Sequence, residues 1–436
     1  MAVGQATRRT GVGPVDLRWY SLLSENGRGA FWASFAGWAL DSYDFWVLSF
    51  TLPAILAVFH LNRGQGGLIA TVTLVVSAFG GMLAGVLADA IGRVRTLMVT
   101  VAVYSVFTFL SGLSQSYEQL LFFRSVQGLG FGGEWAAGAI LVAELADPEQ
   151  RGRLLGWVQS AWALGWAIAN TAALVVFSLV SRTTGWRWLF WLGILPALLI
   201  LYIRSKVREP EVYAETAEAR RARTREAVEH HATRPPLAQI FSPDLLGTTL
   251  LASLLATGAQ GGYYSIFTWL PTYLASVRHL SVLGAGASLY VVIVGAFRGS
   301  VVSAYFNDWL GRRKTFALFA VVSAVVIVLY TQLPASAVGL LPVLGFVLGF
   351  CASGIFSGFG SYLAELYPTR ARGAGQGFCY NSGRAVGAFF PAAIGFLSAT
   401  AGLGGAIAFG AAAYALCLVA LLFLPETRGK RLVAID

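Results

Sequence analysis

The sequence predicts an all-α membrane protein with twelve transmembrane helices, arranged as two six-helix halves related by a pseudo-two-fold axis. Three observations support this fold class. The chain of 436 residues is 56% hydrophobic and only 12% charged, so it is far more apolar than a soluble domain. Twelve apolar runs each approach the roughly 20 residues needed to cross about 30 Å of bilayer hydrocarbon. A short charged phrase also occurs twice, 219 positions apart.

The repeated phrase defines the two halves. Its first copy occupies residues 85–95 and its second copy residues 303–314, each between two apolar runs. The correspondences are Asp89 with Asp308, Gly92 with Gly311, and Arg93 with Arg312. Parallel repeats of this kind, each with a charged loop, are typical of secondary transporters.

Polar segments divide the chain into five parts. We predict an N-terminal segment (1–29), a first six-helix half (30–204), a linker (205–244), a second six-helix half (245–424) and a tail (425–436). Of 31 Lys and Arg residues, 24 lie in the two terminal segments, the linker and the loops after even-numbered spans. Because basic loops stay on the cytoplasmic side, both termini and the linker are expected to be cytoplasmic in a multi-pass plasma (inner) membrane protein.

Composition excludes several other classes of function. The net charge of +10 comes from basic residues in short loops, so we expect the lipid bilayer as a partner and no nucleic acid. The three cysteines all lie in apolar runs, and we expect no disulfide, metal or cofactor. The four histidines lie outside the spans and form no credible catalytic set, so no enzyme is predicted. A membrane sensor would need an additional signalling domain.

Two acidic residues lie near the middle of the first span. Asp41 is about 11 residues into that span, or ~16 Å along a helix, and Asp44 at i+3 shares its face. Two carboxylates this close in a low dielectric are not expected to ionise together. We therefore expect one of them to carry a transported proton, with Glu134 in the fourth span as the next candidate. The alternative is that Asp41 only pairs with an arginine of another span.

Two arginines of the second half, Arg298 and Arg384, also lie near mid-membrane. A buried arginine stays charged and needs an anionic partner, and its planar guanidinium suits a carboxylate. No acidic residue lies at mid-span in the second half. Both arginines are therefore expected to face a central cavity and bind an organic anion. Pairing with Asp41, Asp44 or Glu134 across the halves is the alternative.

Polar and aromatic residues within spans are candidates for the lining of that cavity. The seventh span is interrupted by Gly and Pro, as helices that line transport cavities often are. The candidates are Gln260, Tyr263, Tyr264 and Phe267, with Asn170, Tyr380 and Asn381 as weaker ones. The alternative for the aromatic residues is a lipid-facing or interfacial position.

Charged residues within spans or at span ends are expected to form structural ion pairs. These residues are Arg124, Glu144, Arg153, Glu365 and Arg372. Arg124 opens a glycine-rich phrase in which Gly128, Gly130 and Gly133 match a dinucleotide-binding spacing. No strand precedes this phrase, so we predict that its glycines serve close helix packing.

The repeated phrase resembles the major facilitator superfamily, and the resemblance covers the whole chain. In that family the corresponding loops help to gate the inward-facing and outward-facing states. The resemblance therefore implies a gating role for Asp89, Gly92, Arg93, Arg95, Asp308, Gly311, Arg312 and Arg313.

Three phrases together are similar to one branch of this family. They are the Asp41-x-x-Asp44 pair, the Gly-Gly-Glu sequence that ends at Glu134, and residues 377–384. They resemble the metabolite:proton symporters, especially the sialate and monocarboxylate group, with the aromatic-acid:proton symporters close. This implies symport of a proton and a small organic acid anion by alternating access in a monomer. A lactate- or pyruvate-like monocarboxylate is expected, and an aromatic acid, a sialate or a sugar is the alternative.

Overall fold

The computed structural model describes residues 20–21, 23–145, 151–208, 236–368 and 371–428, and the regular elements in this part of the chain are helical. Twelve membrane spans, labelled α1 to α12, form two six-helix halves. The first half contains α1 (Glu25–Val58), α2 (Arg63–Ile91), α3 (Arg93–Ser111), α4 (Tyr117–Leu145), α5 (Arg151–Leu179) and α6 (Arg182–Leu192 with Ala197–Lys206).

The second half repeats this arrangement with more interruptions. It contains α7 (Pro243–Phe267 with Leu270–Ser276), α8 (Val282–Trp309), α9 (Arg312–Gln332) and α10 (Leu341–Gly354 with Phe359–Leu366). Then α11 begins as Arg372–Gly387 and continues into Phe389–Gly410. That helix breaks at Gly402, where φ is 68°, and the rest of it forms α12 with Ala413–Phe423. The predicted twelve-helix fold is confirmed.

Three spans are less apolar than the others. Eight helical stretches in the described residues are long and apolar enough to cross a membrane, and the last of them holds both α11 and α12. The spans α1, α4 and α7 are not among these stretches, although they are 34, 29 and 25 residues long in their main segments. Each carries buried polar side chains, including Asp41, Arg124 and Gln260. Polar residues inside a membrane are costly and usually functional, so these spans direct attention to the site.

The repeated phrase folds in the same way in both halves. Gly92 joins α2 to α3 and Gly311 joins α8 to α9, with positive φ angles of 105° and 92° that favour glycine. Arg93 and Arg312 each donate to the backbone oxygen five residues earlier, at 2.9 and 2.7 Å. Equal backbone geometry and equal hydrogen bonds at equivalent positions show that the sequence repeat is a structural repeat.

Glycines allow α4 to pack closely against its neighbours. A Cβ atom at Gly128 would lie 2.5 Å from the backbone oxygen of Thr73 on α2. On another side of α4, a Cβ atom at Gly130 would lie 2.6 Å from the backbone oxygen of Thr100 on α3. Side chains at these positions would separate the helices, so the glycine-rich phrase serves helix packing.

The two halves are in contact toward one end of the bundle, and toward the other end two described helix positions face open space. We call the end of the bundle at which α1 begins and α12 ends the terminal face, and the opposite end the far face. Toward the far face, Thr71 donates to the backbone oxygen of Ala388 at 2.6 Å, and Asn170 donates to that of Gly286 at 3.0 Å. Toward the terminal face, Gly85 on α2 and Gly377 on α11 have open space where a Cβ atom would be. The structure is therefore closed at the far face.

Candidate functional site

Asp41 on α1 and Glu134 on α4 face each other inside the first half. They are 0% and 1% exposed, and their carboxyl groups lie within hydrogen-bonding reach of one another. Glu134 Oε1 also lies against Gly37, one turn before Asp41, where a Cβ atom would collide with it. None of the four carboxyl oxygens receives a hydrogen bond from a donor in the described residues. A proton held between the two groups would supply that hydrogen bond, since a protonated carboxyl is a donor.

Asp44, less than one turn further along α1, lies in the opposite electrostatic environment. Arg124 on α4 forms an ion pair with it, at 3.2 Å between Nη1 and Oδ1. Thr108 on α3 donates to the same Oδ1 at 2.6 Å, and the Gln127 amide donates to Oδ2. Asp44 and Arg124 are 1% exposed. Asp44 thus has a cationic partner and accepts hydrogen bonds from Thr108 and Gln127.

These contacts correct the expected pairing of the two acids of α1. The opposed carboxyl groups belong to Asp41 and Glu134, and Asp44 is occupied by a cation. The reason lies in α4, where Arg124 and Glu134 are ten residues or ~15 Å apart along the helix. Each acid of α1 meets a different residue of the same neighbouring helix. Arg124, which was expected to form a structural ion pair, has Asp44 as its partner.

Arg384 on α11 is a buried cation between the halves. It is 4% exposed, and its guanidinium lies over the rings of Tyr380 and Phe131, at 5.3 and 5.9 Å from their centroids. The hydroxyls of Tyr264 and Tyr380 lie near this guanidinium. Its Nε has no acceptor, and no acidic residue in the described ranges forms an ion pair with it. Its charge acts on Asp41 from a greater distance.

Arg298 differs from Arg384 in its surroundings. Its side chain is exposed on α8, and no side chain of the described part of the protein forms a hydrogen bond or ion pair with it. The expectation that both arginines are buried at mid-membrane is therefore wrong for Arg298. Exposure relieves the need for an anionic partner that burial imposes on Arg384.

The remaining predicted lining residues mostly hold helices together. Gln260 on α7 donates to the backbone oxygen of Tyr380 on α11 at 2.9 Å and accepts from the Tyr264 hydroxyl at 3.1 Å. Asn381 donates to the backbone oxygen of Gly377 at 2.9 Å, within its own helix. Gln260 and Tyr264 thus form one hydrogen-bonded group beside Arg384.

Aromatic residues of α5 complete the site, and sequence reasoning missed them. Trp162 donates from Nε1 to the hydroxyl of Tyr263 at 3.0 Å, which links the two halves. Trp166 stacks on Trp46 with centroids 3.7 Å apart, and Phe267 packs edge-on against both. The available signal was the i, i+4 spacing of the two tryptophans of α5, which places them on one helix face.

At the terminal face, charged groups join α9, α10 and the segment after α12. Arg312 binds Glu365 with two hydrogen bonds, at 3.1 Å from Nε and 2.9 Å from Nη2. Glu365 was expected to pair with Arg372, which instead donates to the backbone oxygen of Ala364. Glu365 therefore links α10 to the repeated phrase.

Glu426 reinforces the same junction from outside the membrane spans. It accepts hydrogen bonds from the backbone nitrogens of Arg312 and Arg313 at 2.9 and 3.1 Å. Partial burial raises the pKa of Glu426, but these and two further backbone N–H groups outweigh burial and hold the pKa below its usual range. The side chains of four predicted residues lie outside the part that the structure describes: Asp89, Asp308, Glu144 and Arg153.

Comparison with known proteins agrees with this architecture. The family model of the Major Facilitator Superfamily matches residues 35–309 and 292–435. A "Probable 4-methylmuconolactone transporter" of Cupriavidus pinatubonensis is 40% identical over 94% of this chain and 93% of its own. A "Cis,cis-muconate transport protein" of Acinetobacter baylyi is 30% identical over 91% and 94%. A crystal structure of a D-xylose–proton symporter has a TM-score of 0.72 at 20% identity, covering 92% of this chain and 99% of that one.

Two six-helix halves with buried charges between them define a multi-pass membrane transporter of small organic substrates. Within that class, this chain belongs to the major facilitator superfamily, because the family model and the two relatives cover nearly all of it. It is therefore a transporter and not an enzyme.

Proposed function

We propose that this protein is a proton-coupled symporter of a small organic acid anion, working by alternating access in the plasma (inner) membrane. The observation that carries the proposal is Arg384, a buried cation with an unpaired Nε and no ion-paired acid among the described residues. Arginine stays charged when buried, and its planar guanidinium can bind a carboxylate in bidentate geometry. A substrate carboxylate would supply the missing anion.

Charge balance supports a one-to-one coupling with protons. The Asp44–Arg124 pair is neutral by itself. With one shared proton, the Asp41–Glu134 pair carries one negative charge, which balances Arg384 in the empty carrier. Binding of a substrate anion would leave one excess negative charge, and a second proton on the pair would remove it. Both the empty and the loaded carrier would then change conformation without net buried charge, which is costly in a membrane.

The orientation follows from the basic residues of the terminal face. The positive-inside rule places that face, and both termini, in the cytoplasm. The closed far face would then be the outer one, and the present conformation would release substrate inward. The Arg312–Glu365 and Glu426 contacts are intact in this state, so a gating change would have to involve other contacts of the repeated phrases.

The sequence motifs and the relatives point to two different sizes of organic acid. The motifs favour a lactate- or pyruvate-like monocarboxylate. The relatives are named for 4-methylmuconolactone and cis,cis-muconate, which are larger and unsaturated. The aromatic surroundings of Arg384 favour the second group for this chain, so both sizes of acid belong in the test.

Uptake into proteoliposomes tests the proposal. Labelled lactate, benzoate and cis,cis-muconate are supplied with and without an inward proton gradient. We expect the gradient to drive accumulation of at least one acid, and Arg384→Ala to abolish that uptake. Arg384→Lys should restore little, because an ammonium cannot make the planar bidentate contact. Arg298→Ala is the matched control and should retain most of the uptake.

Two results would contradict the proposal. Normal uptake by Arg384→Ala would exclude this residue as the anion site. Equal accumulation of an acid with and without the proton gradient would exclude proton coupling.

A further inference from the structure

Trp162 lies at the centre of an aromatic cluster between the two halves. Its ring centroid is 5.0 Å from that of Trp38, 5.5 Å from that of Phe45 and 6.5 Å from that of Phe131. All three contacts are tilted, so none of these rings covers the indole face in a stacked geometry. The three neighbours are buried, whereas Trp162 is partly exposed. The cluster therefore leaves some of the Trp162 surface free for a ligand.

Trp166, one turn further along the same helix face, has a stacked aromatic partner. Its ring lies 3.7 Å from that of Trp46 at an interplanar angle of 5°, and both side chains are fully buried. The two tryptophans of α5 therefore differ in availability. Trp166 already has a stacked partner, whereas no ring of the described residues stacks on Trp162.

The position of Trp162 connects it to both charged sites. Phe131 contacts the Trp162 ring on one side and lies beneath the Arg384 guanidinium on the other. Trp38 precedes Asp41 by three residues on α1. Phe45 and Phe131 also line a small cavity beside Asp44 and Arg124. An acid whose carboxylate binds Arg384 would extend its carbon skeleton toward Trp162.

The Trp162 ring is held in place from the opposite half. Its Nε1 donates to the Tyr263 hydroxyl at 3.0 Å, and Tyr263 packs on Phe267 with centroids 4.4 Å apart. A fixed ring loses little conformational entropy when it stacks on a ligand. Planar π-systems prefer offset-stacked partners, and such pairs contribute about 0.5–1.5 kcal/mol beyond area burial, or roughly three- to tenfold in affinity.

We propose that Trp162 determines specificity by stacking on a planar, conjugated carboxylic acid. The transporter would then prefer such acids over saturated acids of the same length and charge. This inference rests on the proposed function, because it takes Arg384 as the carboxylate site.

Matched pairs of acids test the inference by calorimetry on the purified full-length protein. The pairs are cis,cis-muconate with adipate, and benzoate with cyclohexanecarboxylate. Wild type should bind the planar member about three- to tenfold more tightly. Trp162→Leu and Trp162→Met should reduce that ratio to about twofold or less, mainly by weakening the planar acid. Trp162→Phe should retain the preference. Trp188→Leu, which removes an exposed tryptophan of α6, is the control and should change neither affinity.

The possible results distinguish an incorrect role for Trp162 from an incorrect transport function. Equal binding of planar and saturated acids to wild type, with binding lost in Arg384→Ala, would overturn the role of Trp162 and leave the anion transporter intact. An unchanged preference in Trp162→Leu or Trp162→Met would also overturn it. Absence of binding by all four acids, with proton-driven uptake of lactate intact, would overturn the role of Trp162 alone. Absence of lactate uptake as well would contradict the proposed function. The wild-type comparison needs no variant, so it is decisive even if Trp162→Leu fails to fold.

Discussion

Asp41 and Asp44 lie three residues apart on α1, and both are buried. The neighbouring helix α4 places the acidic residue Glu134 beside Asp41 and the cationic residue Arg124 beside Asp44. Asp44 has Arg124 at 3.2 Å and receives hydrogen bonds from Thr108 and Gln127. Asp41 faces Glu134, and the oxygens of that carboxyl pair receive no hydrogen bond from a described donor. The same residue type on one helix is therefore ion-paired at one position and set against a second carboxyl group at the other.

The difference shows that burial alone does not identify a proton site in a membrane protein. A buried carboxylate with a cation and two hydrogen bonds is satisfied as it stands, and breaking it is costly. Two opposed carboxyl groups are satisfied only while a proton is present between them. We therefore expect that variants at the Asp44 site lower the stability of the protein, whereas variants at the Asp41 site impair proton coupling.

The largest effect is expected from Arg124→Ala. This change leaves Asp44 as an uncompensated charge in a low dielectric, and we expect a loss of about 3–5 kcal/mol in the free energy of unfolding. Thermal unfolding in detergent, followed by intrinsic fluorescence, measures it. The double variant Asp44→Asn, Arg124→Gln should recover much of the loss, because it removes both charges together. A single variant as stable as wild type would show that the ion pair contributes nothing.

A smaller effect is expected from Thr108→Val, which removes one hydrogen bond to Asp44 and keeps the shape of the side chain. We expect a loss of about 1.5 kcal/mol in the free energy of unfolding. This is the low end for hydrogen bonds to charged groups, because interhelical hydrogen bonds in membranes are usually weak. The same unfolding measurement applies. Thr108→Ser keeps the hydroxyl and should be closer to wild type. Equal losses in the two variants would mean that packing and not the hydrogen bond is responsible.

Asp41→Asn should change coupling and leave stability nearly intact. With one-to-one symport, an inward gradient of one pH unit supports about tenfold accumulation, equivalent to about 1.4 kcal/mol. The amide imitates a permanently protonated acid, so accumulation should fall to about onefold while exchange of labelled for unlabelled acid continues. Uptake and counterflow in proteoliposomes measure both. If tenfold accumulation persists, the proton travels through another group, and Glu134→Gln is then the variant to compare.

The smallest effect on stability is expected from Gly37→Ala. The added methyl would collide with Glu134 Oε1, the end of a flexible side chain that can move. We expect less than about 1 kcal/mol in unfolding, since overpacking is mild when a flexible group can yield, together with a clear loss of pH-driven accumulation. Gly247→Ala on α7, where a Cβ atom would meet open space, is the control. Unchanged coupling in Gly37→Ala would show that the position of the Glu134 carboxyl is unimportant.

The architecture can be predicted from the sequence, because it is encoded in local features of the chain. Hydrophobic runs of membrane length predict the spans, and the twelve-helix arrangement in two halves is confirmed. The glycine at each copy of the repeated phrase requires a positive φ angle, and both copies have one. Acidic residues within an apolar run can only be buried or face a cavity, so Asp41 and Asp44 could be recognised as special without any structure.

The partners of the charged residues become known from the three-dimensional packing of the helices. Arg124 lies 80 positions from Asp44 and Arg312 lies 53 from Glu365, and no local pattern in the chain relates them. Two arginines that look alike within apolar runs also separate, since Arg384 is buried between the halves and Arg298 is exposed. Electrostatic energy depends on distance and burial in three dimensions, and helix packing alone sets both of these for residues on different spans.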